Sequence, residues 1–193
     1  VNYLDNGTNL FYPFLYPVNR LTNLFRPSGA TSSQYGLTGG VRGVAEGLRF
    51  WNFWLGAEIE VNKPFDLERS EYLKKAVSCN GKIFCSCFIP FMGKAISLRK
   101  LFPNSFFIFI DRDEEAIRKS MKRAYEENKA SEWYSIYDSN IASTGSIAEK
   151  VDIQMELFSR LRKSDLEIGN GYSEICYEDL VENASAVMTK IGQ

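Results

Sequence analysis

Residues 101–125 read LFPNSFFIFIDRDEEAIRKSMKRAY. At their centre is an unbroken run of five apolar residues, Phe106, Phe107, Ile108, Phe109 and Ile110. The run is aromatic and β-branched and too short for a helix, so it reads as a strand covered on both faces. It stops at Asp111-Arg112-Asp113, and the period then changes. Ala116, Ile117, Met121, Ala124 and Tyr125 recur at helical spacing, with Arg118, Lys119, Lys122 and Arg123 on the other side. Asp113 suits the N-cap, and Glu114 and Glu115 suit the positive end of the helix dipole. The reading is strand, sharp turn, helix. It puts Arg112 at the C-terminal edge of a strand, where open α/β sheets bind their ligands. Ser120, eight residues after Arg112, falls on the apolar stripe between Ile117 and Ala124 and needs a partner. A cation and a hydroxyl brought to one spot suit a phosphate.

The bulk numbers narrow the class. A chain of 193 residues suits one domain, and 45% apolar with 14% aromatic residues is ample for a packed core. With 23 basic and 24 acidic residues the net charge is −1, which gives no electrostatic case for nucleic acid. No apolar window is long enough to span a membrane. There are 0 histidines, so Ser-His-Asp and Cys-His catalysis and His-ligated metals are excluded. The cysteines are Cys79, Cys85, Cys87 and Cys176, without CxxC spacing. They read as buried free thiols of a reducing compartment rather than a zinc site.

Outward from the central stretch, residues 1–40 are poorly periodic. Arg26-Pro-Ser-Gly-Ala-Thr31 looks superficially like a phosphate loop. It follows a run holding two prolines and precedes Gly36, Gly39 and Gly40, so it reads as an ordinary loop. Val41 to Leu55 is helical, with Val41, Val44, Ala45, Leu48, Trp51 and Leu55 on one face. Phe50, Trp51, Phe53 and Trp54 form an aromatic patch that is either core or the wall of an acceptor pocket. Residues 67–77 form a short helix. Lys82 to Ile89 reads as a second buried strand ending at Pro90, and Phe91 to Leu101 carries a helix. With 106–110 these make a βαβ unit and a parallel pair. Residues 129–144 form a connection, and a long helix runs from about Ser146 to Asp165. A third strand is expected at Tyr172 to Tyr177, and a final helix at Ala184–Ile191.

The central stretch, together with YSEICYEDLVENASAVMTKIG at 172–192, resembles the sulfotransferases that use 3′-phosphoadenosine-5′-phosphosulfate. In that family a strand ends in Arg-Asp, a Ser follows eight residues after the Arg, and the two hold the 3′-phosphate. Arg112 and Ser120 match this spacing. The family's later Tyr-Glu-Asp-Leu, whose Tyr lies near the adenine, is matched by Tyr177-Glu178-Asp179-Leu180. The lead-in Leu101-Phe102-Pro103-Asn104 is also of the family type. The resemblance covers about 82–127 and 171–192 and hardly touches 1–80.

The resemblance implies an α/β fold, a three-layer sandwich with a mostly parallel central sheet flanked by helices. It implies a single domain over 1–193, with an acceptor side in 1–80 and the 3′-phosphate portion in 81–193. The implied reaction moves a sulfuryl group to a hydroxyl or amine of a small-molecule or carbohydrate acceptor and releases 3′,5′-adenosine bisphosphate. No metal is implied, and the compartment is expected to be cytoplasmic.

The sequence departs from the family in places. The 5′-phosphosulfate loop is not found in a strand–helix context and is expected to precede Val1. Where the family has Lys or Lys-Thr-His before its Pro, this chain has Ser86, Cys87 and Phe88 before Pro90. The Pro after the family's Arg-Asp is Glu114. A further basic segment that touches the 3′-phosphate is expected beyond Gln193. The general base is not assigned; Glu58, Glu60 and Asp66 are candidates, with Lys94 as a candidate cation. Two rival readings stand beside the enzyme: a sulfotransferase-like binding module without catalytic groups, and a small-molecule kinase. The kinase lacks its Gly-Lys-Ser/Thr loop and its acidic Mg²⁺ site. Each site residue also has a structural alternative. Arg112 could pair with Asp111, Asp113 or Glu178, Ser120 could bond back to the carbonyl of 116, and Tyr177 could be a core aromatic at a strand end.

Overall fold

The computed structural model describes residues 33–34, 37–38, 48–55, 64–78, 85–128 and 145–191. The chain divides into two compact units, Val1–Pro90 and Phe91–Gln193, each with its own packing.

In the first unit Ser33–Gln34 (β1) and Leu37–Thr38 (β2) form a short antiparallel pair. Helix α1 is Leu48–Leu55 and α2 is Leu67–Ser78. Phe50, Trp51 and Leu55 are buried from α1, and Ser70 and Leu73 from α2. Phe50 meets Trp51 edge-on at 5.0 Å between ring centroids, and Trp51 stacks on Phe88 at 6.5 Å. Such pairs add to the area that the rings bury. The aromatic patch is therefore core at Phe50 and Trp51. Asp66 caps α2: its Oδ1 accepts from Arg69 N at 3.1 Å, and Arg69 pairs with the same carboxylate. The strand expected at Lys82–Ile89 is not formed by its described residues, 85–89. Residues 85–88 are irregular, and Ile89–Phe91 is a turn of 3-10 helix. Cys85 and Cys87 are exposed, as is Cys176, so these thiols are not the buried ones expected.

The second unit opens with α3, Ala95–Leu101. Then come β3 at Phe107–Asp111, α4 at Glu114–Asn128 and α5 at Ile147–Asp165. A 3-10 turn at Leu166–Ile168 leads to β4, Tyr172–Cys176, and to α6, Tyr177–Ile191, which breaks at Asn183. Asn183 Oδ1 accepts from Ala186 N at 3.1 Å and so caps the second half of α6. Among the described residues, β3 pairs with β4, not with a strand at 82–89. The pair is parallel, in register from Phe107↔Tyr172 to Asp111↔Cys176. A parallel pair needs a long crossover, and α4 and α5 lie in it. The architecture is thus α/β, mostly helical with a small parallel sheet. No described helix is long and apolar enough to cross a membrane.

One face of β3 is covered and the other is not. Phe107 and Phe109 are half-buried, whereas Phe106, Ile108 and Ile110 are 53%, 43% and 53% exposed. That corrects the expectation of a strand covered on both sides. The unbroken apolar run fixes strand propensity, but coverage depends on what other elements supply. The core of this unit lies between α4 and α5. Met121, Tyr125 and Val151 are buried there, with Ile117, Ile147, Met155 and Phe158 packed around them.

The ends of α5 are fixed by local chemistry. Ser146 and Glu149 form a capping box: Glu149 N donates to Ser146 Oγ at 3.2 Å and Ser146 N to Glu149 Oε2 at 3.1 Å. Bonding to Ser146 holds the Glu149 carboxyl below its ordinary value of 4.5, side chain first and backbone second. Replacing Ser146 by Ala is expected to cost about 1 kcal/mol. Calorimetry should show this as a fall of about 2–4 °C in Tm.

Gly171, just before β4, has φ +68°. A Cβ there would come within 2.6 Å of the Arg99 guanidinium, whose Nη2 takes the Gly171 carbonyl at 2.9 Å while its Cζ lies 5.2 Å from the centroid of Phe107. Gly171→Ala is therefore expected to lose about 1–2 kcal/mol in denaturant titration, from left-handed backbone and a displaced Arg99.

Candidate functional site

The parallel register decides what meets at the sheet edge. It ends at Asp111↔Cys176, so the next residue of each strand, Arg112 and Tyr177, leaves from the same edge. The Arg112 Cζ lies 4.6 Å from the centroid of the Tyr177 ring, within the range of a cation–π contact. Tyr177 is 38% exposed and begins α6, so it is not the core aromatic of a strand end.

The carboxylates that could have taken Arg112 are each engaged elsewhere. Asp111 is held by Arg162, with Nη2 3.1 Å from Oδ2. Asp113 caps α4 as expected, its Oδ1 accepting from Ala116 N at 2.8 Å. Glu178 accepts from the Cys176 thiol at 2.9 Å and from Asp113 N at 3.3 Å. These donors hold its carboxyl below the ordinary 4.5: the Cys176 thiol first, then its own amide and that of Asp113, with the charge of Arg112 adding to them. Among the described residues Arg112 makes no ion pair closer than 4.0 Å. An exposed guanidinium fixed by a ring face keeps its fork of N–H donors for a ligand.

Ser120 stands half-buried in α4, about 10 Å along the helix from its start at the strand edge. No hydrogen bond joins it to Arg112 or Tyr177 among the described residues. The structure thus brings two of the three expected site residues into contact and leaves the third two turns up the adjoining helix.

The remaining candidates lie apart from this cluster. Lys94 is 7% exposed and burial lowers its pKa from 10.5, so it is no open surface cation. Two amides at the start of α3 are taken, Asp165 accepting from Gly93 N at 2.8 Å and from Ala95 N at 2.9 Å. Asp66 is committed to its cap and to Arg69, which disfavours it as a base. Glu58, Glu60, the loop at 26–31 and Cys79 lie outside the described residues.

Sequence reasoning missed Arg162. The signal was a pair of acidic residues in two short strands, Asp111 at the end of β3 and Glu174 in the middle of β4, which needed a cation from a third element. No protein-family model, curated protein or solved structure matches the chain.

Proposed function

We propose that the edge of β3 and β4 binds the 3′-phosphate of an adenine nucleotide, and that the chain is an α/β sulfotransferase of the three-layer kind whose cofactor-binding portion includes this edge. The observation that carries this reading is Arg112. It follows a strand of a parallel pair, rests on the Tyr177 ring, and makes no close ion pair with Asp111, Asp113 or Glu178, although its charge is felt at Glu178. A dianionic phosphate is what such a guanidinium recognises best, through two parallel N–H···O bonds. The Tyr177 ring, exposed beside it, offers the adenine an apolar face. Ser120 adds a hydroxyl once the ligand spans the first turns of α4.

The nucleotide supplies the activated sulfuryl group, which 3′-phosphoadenosine-5′-phosphosulfate hands to an acceptor hydroxyl or amine. The chain's own residues anchor the nucleotide at the end remote from the transferring sulfur. Such an anchor contributes by orientation: it converts binding at a non-reacting phosphate into alignment of the reacting centre. The acceptor is a small molecule or carbohydrate, and the base is left to residues outside this cluster. A binding module of the same ancestry would use the same edge without transfer.

The test is calorimetric titration of the chain with 3′,5′-adenosine bisphosphate, adenosine 5′-monophosphate and adenosine. The reading expects the bisphosphate to bind at least about tenfold more tightly than the monophosphate, the increment of one charge-assisted fork. Equal affinities would exclude a 3′-phosphate site.

A further inference from the structure

The sheet edge carries a second guanidinium that the phosphate reading does not use. Arg162, in the last turn of α5, has its Cζ 4.0 Å from the centroid of the Phe109 ring. Its side chain is 18% exposed, less than either carboxylate it holds. Nε donates to Asp111 Oδ1 at 3.3 Å and Nη2 to Asp111 Oδ2 at 3.1 Å, a two-pronged grip. Nη2 also donates to Glu174 Oε2 at 2.8 Å. Asp111 ends β3, and Glu174 lies opposite Phe109 in β4. One side chain therefore ties both strands just before they deliver Arg112 and Tyr177.

The charge balance makes this more than a fastening. Asp111 is the carboxylate adjacent in sequence to Arg112. Left unpaired, it would draw Arg112 to itself or repel an incoming anion. Simple exposed ion pairs contribute little. A forked pair seated on a ring and shared by a second carboxylate holds its geometry far better.

We infer that Arg162 is a positioning residue: it occupies Asp111 so that Arg112 stays on the Tyr177 ring with its donors open. The function of that arrangement rests on the phosphate reading, but the geometry does not, and the two fail separately.

The test is the Arg112 Nε–H resonance in the ligand-free chain labelled with ¹⁵N-arginine. The Tyr177 ring current displaces it in the wild type, and Tyr177→Leu gives the undisplaced position. Arg162→Gln is expected to move it to that undisplaced position, and adding Asp111→Asn to Arg162→Gln is expected to bring it back. A purely structural loss at Arg162 would not be repaired by removing one carboxylate. Arg162→Lys keeps the charge but not the fork, and should give a smaller displacement in a chain whose fold is undisturbed. Bisphosphate affinity should follow the resonance, about tenfold weaker in Arg162→Gln and recovered in the double variant. An Arg112 resonance unmoved by Arg162→Gln, or not restored by Asp111→Asn, overturns the proposal. A chain whose resonance behaves as expected but which does not bind the bisphosphate supports the positioning role and refutes the phosphate reading alone.

Discussion

Replacing Asp165 by Ala is expected to be the most destabilising single change in the second unit, by about 2–4 kcal/mol. The carboxylate is 3% exposed and joins the last turn of α5 to the first turn of α3 through the amides of Gly93 and Ala95. Its removal leaves two N–H groups in a closed setting without acceptors. Asp165→Asn should cost less, because one acceptor survives. The pH dependence gives a second readout. Burial raises the Asp165 pKa above the ordinary 3.8, against the opposing pull of Ala95 N, Gly93 N and Arg162. The folded state thus holds this proton more tightly than the unfolded chain does. The stability contributed by that shift is fullest below the ordinary value and is lost as pH rises through the folded one. Urea titrations at several pH values should show the advantage of wild type over Asp165→Asn shrinking from acid towards neutral. An advantage that grows over that range would mean that the amides outweigh burial.

Arg112→Ala is expected to weaken 3′,5′-adenosine bisphosphate binding about 10- to 100-fold, the range for charge-assisted hydrogen bonds to a charged group. Stability should hardly change. Arg112 is exposed and makes no ion pair among the described residues, so its removal leaves no buried carboxylate behind. Arg112→Lys should recover only part of the affinity, since an ammonium cannot form the planar fork. Isothermal calorimetry with the three proteins measures this, with thermal melts as the control. A large loss of Tm in Arg112→Ala would instead mark the residue as structural.

What the sequence made legible was local. Asp113 was legible as a cap because a cap depends on residues three positions apart. The apolar run of 106–110, the long helix from about Ser146 to Asp165 and the last helix at Ala184–Ile191 were legible from local pattern, and they match β3, α5 and the second half of α6 to within a residue or two. Non-local pairing was not legible. KIFCSCFI has the same apolar texture as the run at 106–110, so it read as a partner strand, yet β3 takes β4 across a crossover of two helices. Composition reports that a segment can be a strand, not which neighbour completes its ladder. The exposed Ile108 and Ile110 and the exposed Cys85 and Cys87 are the same lesson, since burial is a property of the surroundings. At the site, Arg112 and Tyr177 were named from sequence, but their contact required the register. Arg162 lies 50 residues from Arg112 in the numbering, and nothing in its local pattern distinguishes it from a solvated helix cation.

The central claim is that Arg112 recognises the 3′-phosphate in particular. It is tested most directly by one ratio, the affinity for 3′,5′-adenosine bisphosphate over that for adenosine 5′-monophosphate, measured by calorimetry on wild type and on Arg112→Ala. The account predicts a ratio of about 10 or more in the wild type that collapses to about 1 in the variant. An unchanged ratio would contradict it.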